Sequence, residues 1–224
     1  MLVKLFVLGL PGSGKSAIAR YILDCASHQL VDEQNDQRWS TIRFNDYAIL
    51  NGMFRQDIAG ERFKPTESGG FDVLKLEVFD EALQVLEQKV NAYIHSLKLD
   101  EKKLVLIEFS RNNYKRAFQQ FNKSFLKNTY LLYLRTEIEV CKKRIRDRVA
   151  NPQFEEDDFN VSDYIFDKYY HADDWEGIAD VLEKDYGVNR EHLWTYDNNL
   201  SYETACLDIE PFVKKILVCL FEPL

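Results

Sequence analysis

Several things are scarce in this chain. Its 224 residues hold four cysteines, Cys25, Cys141, Cys206 and Cys219, scattered without a C-x-x-C pair or matching histidines. That spacing speaks against a disulfide framework or a zinc site and reads as reduced, partly buried thiols. No apolar run approaches the ~20 residues that cross a bilayer. Positive charge is in deficit, with 29 Lys and Arg against 37 Asp and Glu, a formal net charge of -8. A general nucleic-acid or anionic-membrane binder is therefore not expected, although a local basic face stays open. There is no internal repeat and no low-complexity tract. The short apolar N-terminal stretch is not read as a signal peptide, because cleavage would remove or cripple the glycine-rich loop behind it. The expected location is the cytoplasm.

What is present is an ordinary globular composition, 46% hydrophobic and 29% charged. The length suits one α/β domain spanning 1–224, with a small inserted lid at about 149–173.

The richest stretch is Gly9-Leu10-Pro11-Gly12-Ser13-Gly14-Lys15-Ser16. It satisfies the phosphate-binding pattern G-x-x-x-x-G-K-[ST]. A mostly apolar strand, residues 2–9, precedes it, and a helix pattern, residues 15–27, follows. Glycines let successive N–H groups face one anion, and the helix N-terminus adds positive partial charge. Gly9, Pro11, Gly12, Ser13, Gly14, Lys15 and Ser16 are thus expected to hold a triphosphate. Lys15 reaches the β/γ-phosphates, and Ser16 offers a hydroxyl to Mg²⁺.

Downstream, Trp39 to Phe44 alternates as a second strand and ends in Asn45-Asp46. Tyr47 to Phe54 looks helical, and 56–70 reads as a long loop. Residues 74–97 carry a core stripe at helical spacing: Phe79, Ala82, Leu83, Leu86, Val90, Tyr93, Ile94 and Leu97. Leu104 to Phe109 is a buried third strand with Glu108 at its carboxyl end, followed by Ser110-Arg111. Residues 114–126 read as a helix, and 130–134 as a fourth strand. Thr136 with Glu139 forms a capping-box pattern before a helix through Arg144, Arg146 and Arg148. The stretch 151–173 is acidic and aromatic. A helix is expected over 174–186, capped by Asp173 or Asp174 and stopped by Gly187. A fifth strand covers 192–196, and Asn198 lies in the turn after it. The last helix, from Ser201, is expected to break at Pro211. Alternating strands and helices imply a parallel sheet whose carboxyl ends form the ligand crevice.

These features resemble the P-loop kinases, the adenylate and nucleoside monophosphate kinases and their relatives. The resemblance rests on the loop at 9–16, on Glu108-Phe109-Ser110-Arg111, and on Arg144-Ile145-Arg146-Asp147-Arg148. It implies a three-layer α/β sandwich, a five-stranded parallel sheet in the order 2-3-1-4-5, and an inserted lid. It also implies ATP and Mg²⁺, with Arg144 over the base and Arg148 near the phosphates, and it puts Asn198 with the nucleotide. Glu108 with Ser16 is the expected Mg²⁺ pair; the alternative for Glu108 is an ion pair with Lys15. Lys15, Asp46, Arg144 and Arg148 form the expected catalytic set. Asp46, Asp72 and Arg111 are the expected acceptor contacts, with an N-cap as the alternative role for Asp46. No arginine occurs between Val149 and Asn189, which disfavours a phosphorylated second nucleotide as acceptor.

The function expected is phosphoryl transfer from ATP to a small acceptor, with no nucleic acid, no membrane, and an unknown protein partner. The rival is a nucleotide-dependent switch acting through a partner. Asp57-Ile58-Ala59-Gly60-Glu61-Arg62-Phe63 resembles a small-GTPase switch segment. It lacks a good preceding strand, and there is no N-K-x-D motif to accompany it.

Overall fold

A computed structural model of the chain describes residues 2–29, 39–66, 70–98, 102–152 and 160–221. Residues 30–38, 67–69 and, within the expected lid, 153–159 lie outside them.

The elements follow in order: β1 (Leu2–Gly9), α1 (Lys15–Gln29), β2 (Trp39–Asn45), α2 (Asp46–Gln56), β3 (Phe63–Pro65), β4 (Phe71–Val73) and α3 (Glu77–Ser96). Then come β5 (Lys102–Phe109), α4 (Tyr114–Phe118), α5 (Lys123–Leu126), β6 (Tyr130–Arg135), α6 (Ile138–Ala150), α7 (Asp163–Lys168), α8 (Ile178–Tyr186), β7 (Leu193–Asp197) and α9 (Tyr202–Phe221). The main sheet is five-stranded, β2-β5-β1-β6-β7, and every neighbouring pair is parallel. Counting only these strands, the order is 2-3-1-4-5, as expected. β3 and β4 form a separate antiparallel pair.

The two-residue period of a strand explains the layers. On β1, Phe6 and Leu8 face a core built with α2, α3, α4 and α7, while Val3, Leu5 and Val7 face α1 and α9. β5 divides the same way, Val105, Ile107 and Phe109 against Leu104 and Leu106. Central strands are therefore apolar on both faces. The stripe of α3 is buried at Val78, Phe79, Ala82, Leu83, Leu86 and Val90.

Several expectations are corrected. The 56–70 loop contains β3, and the hairpin closes with β4. The 114–126 helix is two short ones, α4 and α5. Asp173 and Asp174 do not cap α8, whose N-cap is Gly177. Asp174 instead accepts from the backbone N–H groups of Tyr114 and Lys115 at the start of α4. α9 runs through Pro211 without a break. Proline deprives the carbonyl of Leu207 of its partner, but Leu207 and Pro211 both sit on the exposed face, where water replaces it. The capping box at Thr136 does not form either, since α6 begins after Glu137 with no side-chain cap.

Phe6 is fully buried, with ring contacts to Phe109, Phe118, Phe121 and Phe125 at centroid distances of 5.6–6.3 Å. Truncating it leaves a cavity beneath the central strand. Phe6→Ala is expected to lower the unfolding free energy by about 3–5 kcal/mol, read from urea denaturation.

Candidate nucleotide and acceptor site

The glycine loop leaves β1 and turns into α1 under tight backbone constraint. Gly12 has φ +80°, and a Cβ there would stand 2.4 Å from the carbonyl oxygen of Cys141. Gly14 has φ +94°, and a Cβ there would stand 2.6 Å from Nδ2 of Asn198. Only glycine fits either position. Distant segments pin the loop. Asn198 Nδ2 donates to the Ser13 carbonyl at 2.7 Å, and Thr136 Oγ1 donates to the Ser13 and Asn198 carbonyls at 3.4 and 3.3 Å. The Gly9 N–H donates to the Tyr114 hydroxyl at 2.9 Å. The first amides of α1 have no intrahelical acceptor, so they face the site as anion donors.

Lys15 Nζ rests on the carbonyls of Gly9 (3.1 Å) and Leu10 (2.8 Å). Burial pushes its pKa down to about 8, against the pull of Glu108 and Asp46. Glu108, only 2% exposed, is not its hydrogen-bond partner. Glu108 accepts from Ser16 Oγ at 3.3 Å and is clasped by Arg43, through Nε to Oε1 and through Nη2 to Oε2 at 3.3 Å. Sequence reasoning missed Arg43. Its signal was a charge two residues before Asn45 on an otherwise β-rich strand, the same face by strand periodicity.

Asp46 is not the N-cap of α2; Asn45 is, its Oδ1 accepting from the Ala48 N–H at 2.8 Å. The Asp46 carboxylate, 8% exposed, lines the cavity and pairs with Arg111 Nη1. Arg111 is 2% exposed and does not line that cavity. Its guanidinium also donates to the carbonyls of Phe79 (2.6 Å) and Ser110 (2.5 Å) and lies 4.9 Å from the Phe79 ring centroid. Burial works against its charge, and Asp46 holds the pKa above the usual value. Arg111, expected as an acceptor contact, is placed behind Asp46 and pairs with it. Asp72, also expected as an acceptor contact, does not line the cavity either. Phe71 and Val73 line the cavity, while Asp72 between them turns to the opposite face and accepts from the Ser162 hydroxyl.

Arg144 and Arg148 share a face of α6, one turn apart, and both line the main cavity, while Arg146 is exposed. Arg144 donates to the carbonyls of Asn198 and Leu200, each at 2.9 Å. A second cavity of about 300 Å³ lies there, lined by Gly14, Ala17, Arg144, Asn198, Leu200 and Tyr202 among others. The main cavity, about 530 Å³, runs from the glycine loop past Glu108 and Asp46. Among the described residues there is no cluster of three or more His, Cys, Asp or Glu suited to a metal. Ser16 and Glu108 are adjacent oxygen donors, the hard ligands Mg²⁺ prefers when phosphate and water complete its shell. The switch-like segment is elsewhere: helix α2 precedes it, and Asp57 accepts from the N–H groups of Arg62 and Phe63 at 2.8 and 2.9 Å.

This architecture is a P-loop NTPase fold. Kti12 from Chaetomium thermophilum, solved in complex with ADP-AlF3, is similar with a TM-score of 0.53 at 12% identity, covering 96% of this chain and 98% of that one. Shikimate kinase from Acinetobacter baumannii, in complex with shikimate, gives 0.46 at 15% identity over 96% and 94%. A sugar kinase from Janibacter sp. gives 0.44 at 14% identity over 95% and 98%. At such identities the likeness speaks for the fold alone. No family model matches the sequence, and no curated protein matches it. No helix of the described residues is long and apolar enough to cross a membrane.

Tyr114→Phe removes the acceptor from the buried Gly9 N–H. The variant is expected to lose about 1–3 kcal/mol of stability in urea denaturation while keeping its far-UV circular dichroism.

Proposed function

We propose that the chain is an ATP- and Mg²⁺-dependent phosphotransferase that moves a γ-phosphoryl group to a small acceptor. One observation carries the reading. A single cavity is lined by the phosphate loop, the Ser16–Glu108 pair, Arg144 and Arg148, and also by the Asp46 carboxylate and residues of α2, α3 and the β3–β4 hairpin. A nucleotide-binding fold needs no such compartment; a phosphoryl acceptor does.

In this reading the amides of 12–16 and Lys15 hold the triphosphate. Lys15 leaves its carbonyl partners for phosphate oxygens, which restore the proton affinity that burial lowers. Ser16 and Glu108 hold Mg²⁺, which when bound offsets charge on the phosphate oxygens. Arg43 holds and orients Glu108. Arg144 and Arg148 stabilise charge on the transferring group. Asp46 accepts a hydrogen bond from the attacking hydroxyl and sets it in line, and Arg111 fixes that carboxylate. Asn198 and Leu200, with Arg144, border the smaller cavity where the nucleoside end fits.

The test is ADP release from Mg²⁺-ATP, alone and with a panel of nucleosides, nucleoside monophosphates, sugars and amino alcohols. Acceptor-dependent release supports transfer. Hydrolysis that no acceptor stimulates favours the nucleotide-driven switch. Lys15→Met is expected to lower turnover by about 100-fold or more with the fold retained. Asp46→Asn is expected to lower kcat about 100-fold while ATP affinity, measured by calorimetry, holds. If only melting temperature falls in that variant, Asp46 is structural.

A further inference from the structure

Glu108 ends a buried strand, is 2% exposed, and has both carboxylate oxygens in use. Arg43 on β2 donates from Nε to Oε1 and from Nη2 to Oε2, the second at 3.3 Å, a two-pronged grip on one anion. Ser16 Oγ donates to the same Oε2, also at 3.3 Å. The guanidinium and the Ser16 hydroxyl therefore meet at one oxygen atom, beside which a cation held by Ser16 and Glu108 has to sit.

The grip is built into the sheet. Asn45 and Glu108 are register partners, and Arg43, two residues before Asn45, lies on the same face of β2. The Arg43 side chain is mostly buried, at 15% exposure. Lys15, whose Nζ rests on the Gly9 and Leu10 carbonyls, adds a second positive charge near Glu108.

One carboxylate thus faces two cations. A free dication arriving there must displace Arg43 or sit against it, and either course is unfavourable in so buried a place. A triphosphate changes the balance. Gly12, Gly14, Lys15, Ser16 and Arg43 line one cavity, so phosphate oxygens on the loop bring new anions into the compartment of the guanidinium.

We infer that Arg43 is an internal counter-ion that keeps free Mg²⁺ off Glu108, so that the metal enters only together with the nucleotide, whose phosphates take over the guanidinium. The inference rests on the phosphotransferase reading, in which Ser16 and Glu108 hold the metal, and adds an order of loading to it. A purely structural clamp makes the same contacts with no bearing on metal, and experiment separates the two roles.

Thermal melting without nucleotide is the test. Arg43→Met takes the guanidinium from Glu108 and is expected to lower the melting temperature by about 10 °C. Adding about 10 mM MgCl₂ is expected to return about 4 °C of that loss relative to NaCl of equal ionic strength, and to shift the wild type by less than about 1 °C. Arg43→Lys keeps the charge and is expected to behave as the wild type does. Adding Glu108→Gln to Arg43→Met removes the ligand and is expected to remove the Mg²⁺ response. A wild type that gains as much from Mg²⁺ as Arg43→Met, or an Arg43→Met protein that gains nothing, overturns the inference. Should Arg43→Met fail to fold, Mn²⁺ titration of the wild type, followed by electron paramagnetic resonance, decides. Nucleotide-free binding that Glu108→Gln abolishes overturns the inference; no binding, or binding equal in both proteins, supports it. Calorimetry with ADP separates this inference from the reading beneath it. ADP that binds, and binds tighter with Mg²⁺, leaves the phosphotransferase reading standing whatever the melting shows. ADP that does not bind, or that Mg²⁺ does not help, overturns that reading and the inference with it.

Discussion

Two ion pairs cross between the carboxyl ends of β2 and β5. Arg43 on β2 holds Glu108 on β5, and Arg111 just after β5 holds Asp46 just after β2. Each strand thus gives one acid and receives one base. Asn45 and Glu108 are partners in the parallel register, so the exchange sits at the rim of the sheet, beside the glycine loop. Both acids are nearly buried, as is Arg111. Losing one partner of such a pair leaves a charge without water or counter-ion, at a cost of about 3–5 kcal/mol. The arrangement fixes two carboxylates on one rim, one beside the Ser16 hydroxyl and the other lining the cavity next to Tyr47.

The opposite side of the loop is held by neutral groups. The Ser13 carbonyl takes hydrogen bonds from Asn198, after β7, and from Thr136, after β6. Arg144 closes the circuit by donating to the Asn198 carbonyl. These contacts hold the loop in the positive-φ conformation that Gly12 and Gly14 allow. Charge pairs lie on one flank of the loop and a carbonyl clamp on the other.

The parts legible in sequence were those with local signals. The glycine loop and its flanks are a contiguous pattern. Glu108 stood out because a carboxylate at the end of an apolar strand has to be accounted for. The α3 stripe repeats over five turns. What was not legible depends on contacts between distant segments. Thr136 and Glu139 have capping-box spacing, yet the Thr136 hydroxyl serves Ser13 and Asn198 instead. Arg111 is adjacent to the right strand, and nothing in the order of residues says which way its side chain turns. β3 and β4 are three residues each, too short for a period to register. Pro211 has the chemistry of a helix breaker, and its solvent-facing position cancels the effect.

The acidic, aromatic stretch after α6 shows how one composition can carry two messages. Asp163, Tyr164 and Asp167 are exposed, while Ile165, Phe166, Tyr169 and Tyr170 are buried, so the acids and most of the aromatics lie on opposite faces of α7 and its cap. Tyr169 stacks on Phe79 at 4.5 Å, and the Tyr170 hydroxyl donates to the Ser110 carbonyl at 3.3 Å. These contacts bind the segment to α3 and to the end of β5, the same two places that receive the hydrogen bonds of Arg111. The segment therefore contributes no cation to the cavity and seals the guanidinium away from it. With no arginine in 149–189 and Arg111 buried behind Asp46, the lysines and arginines that line the cavity come from α1, β2 and α6.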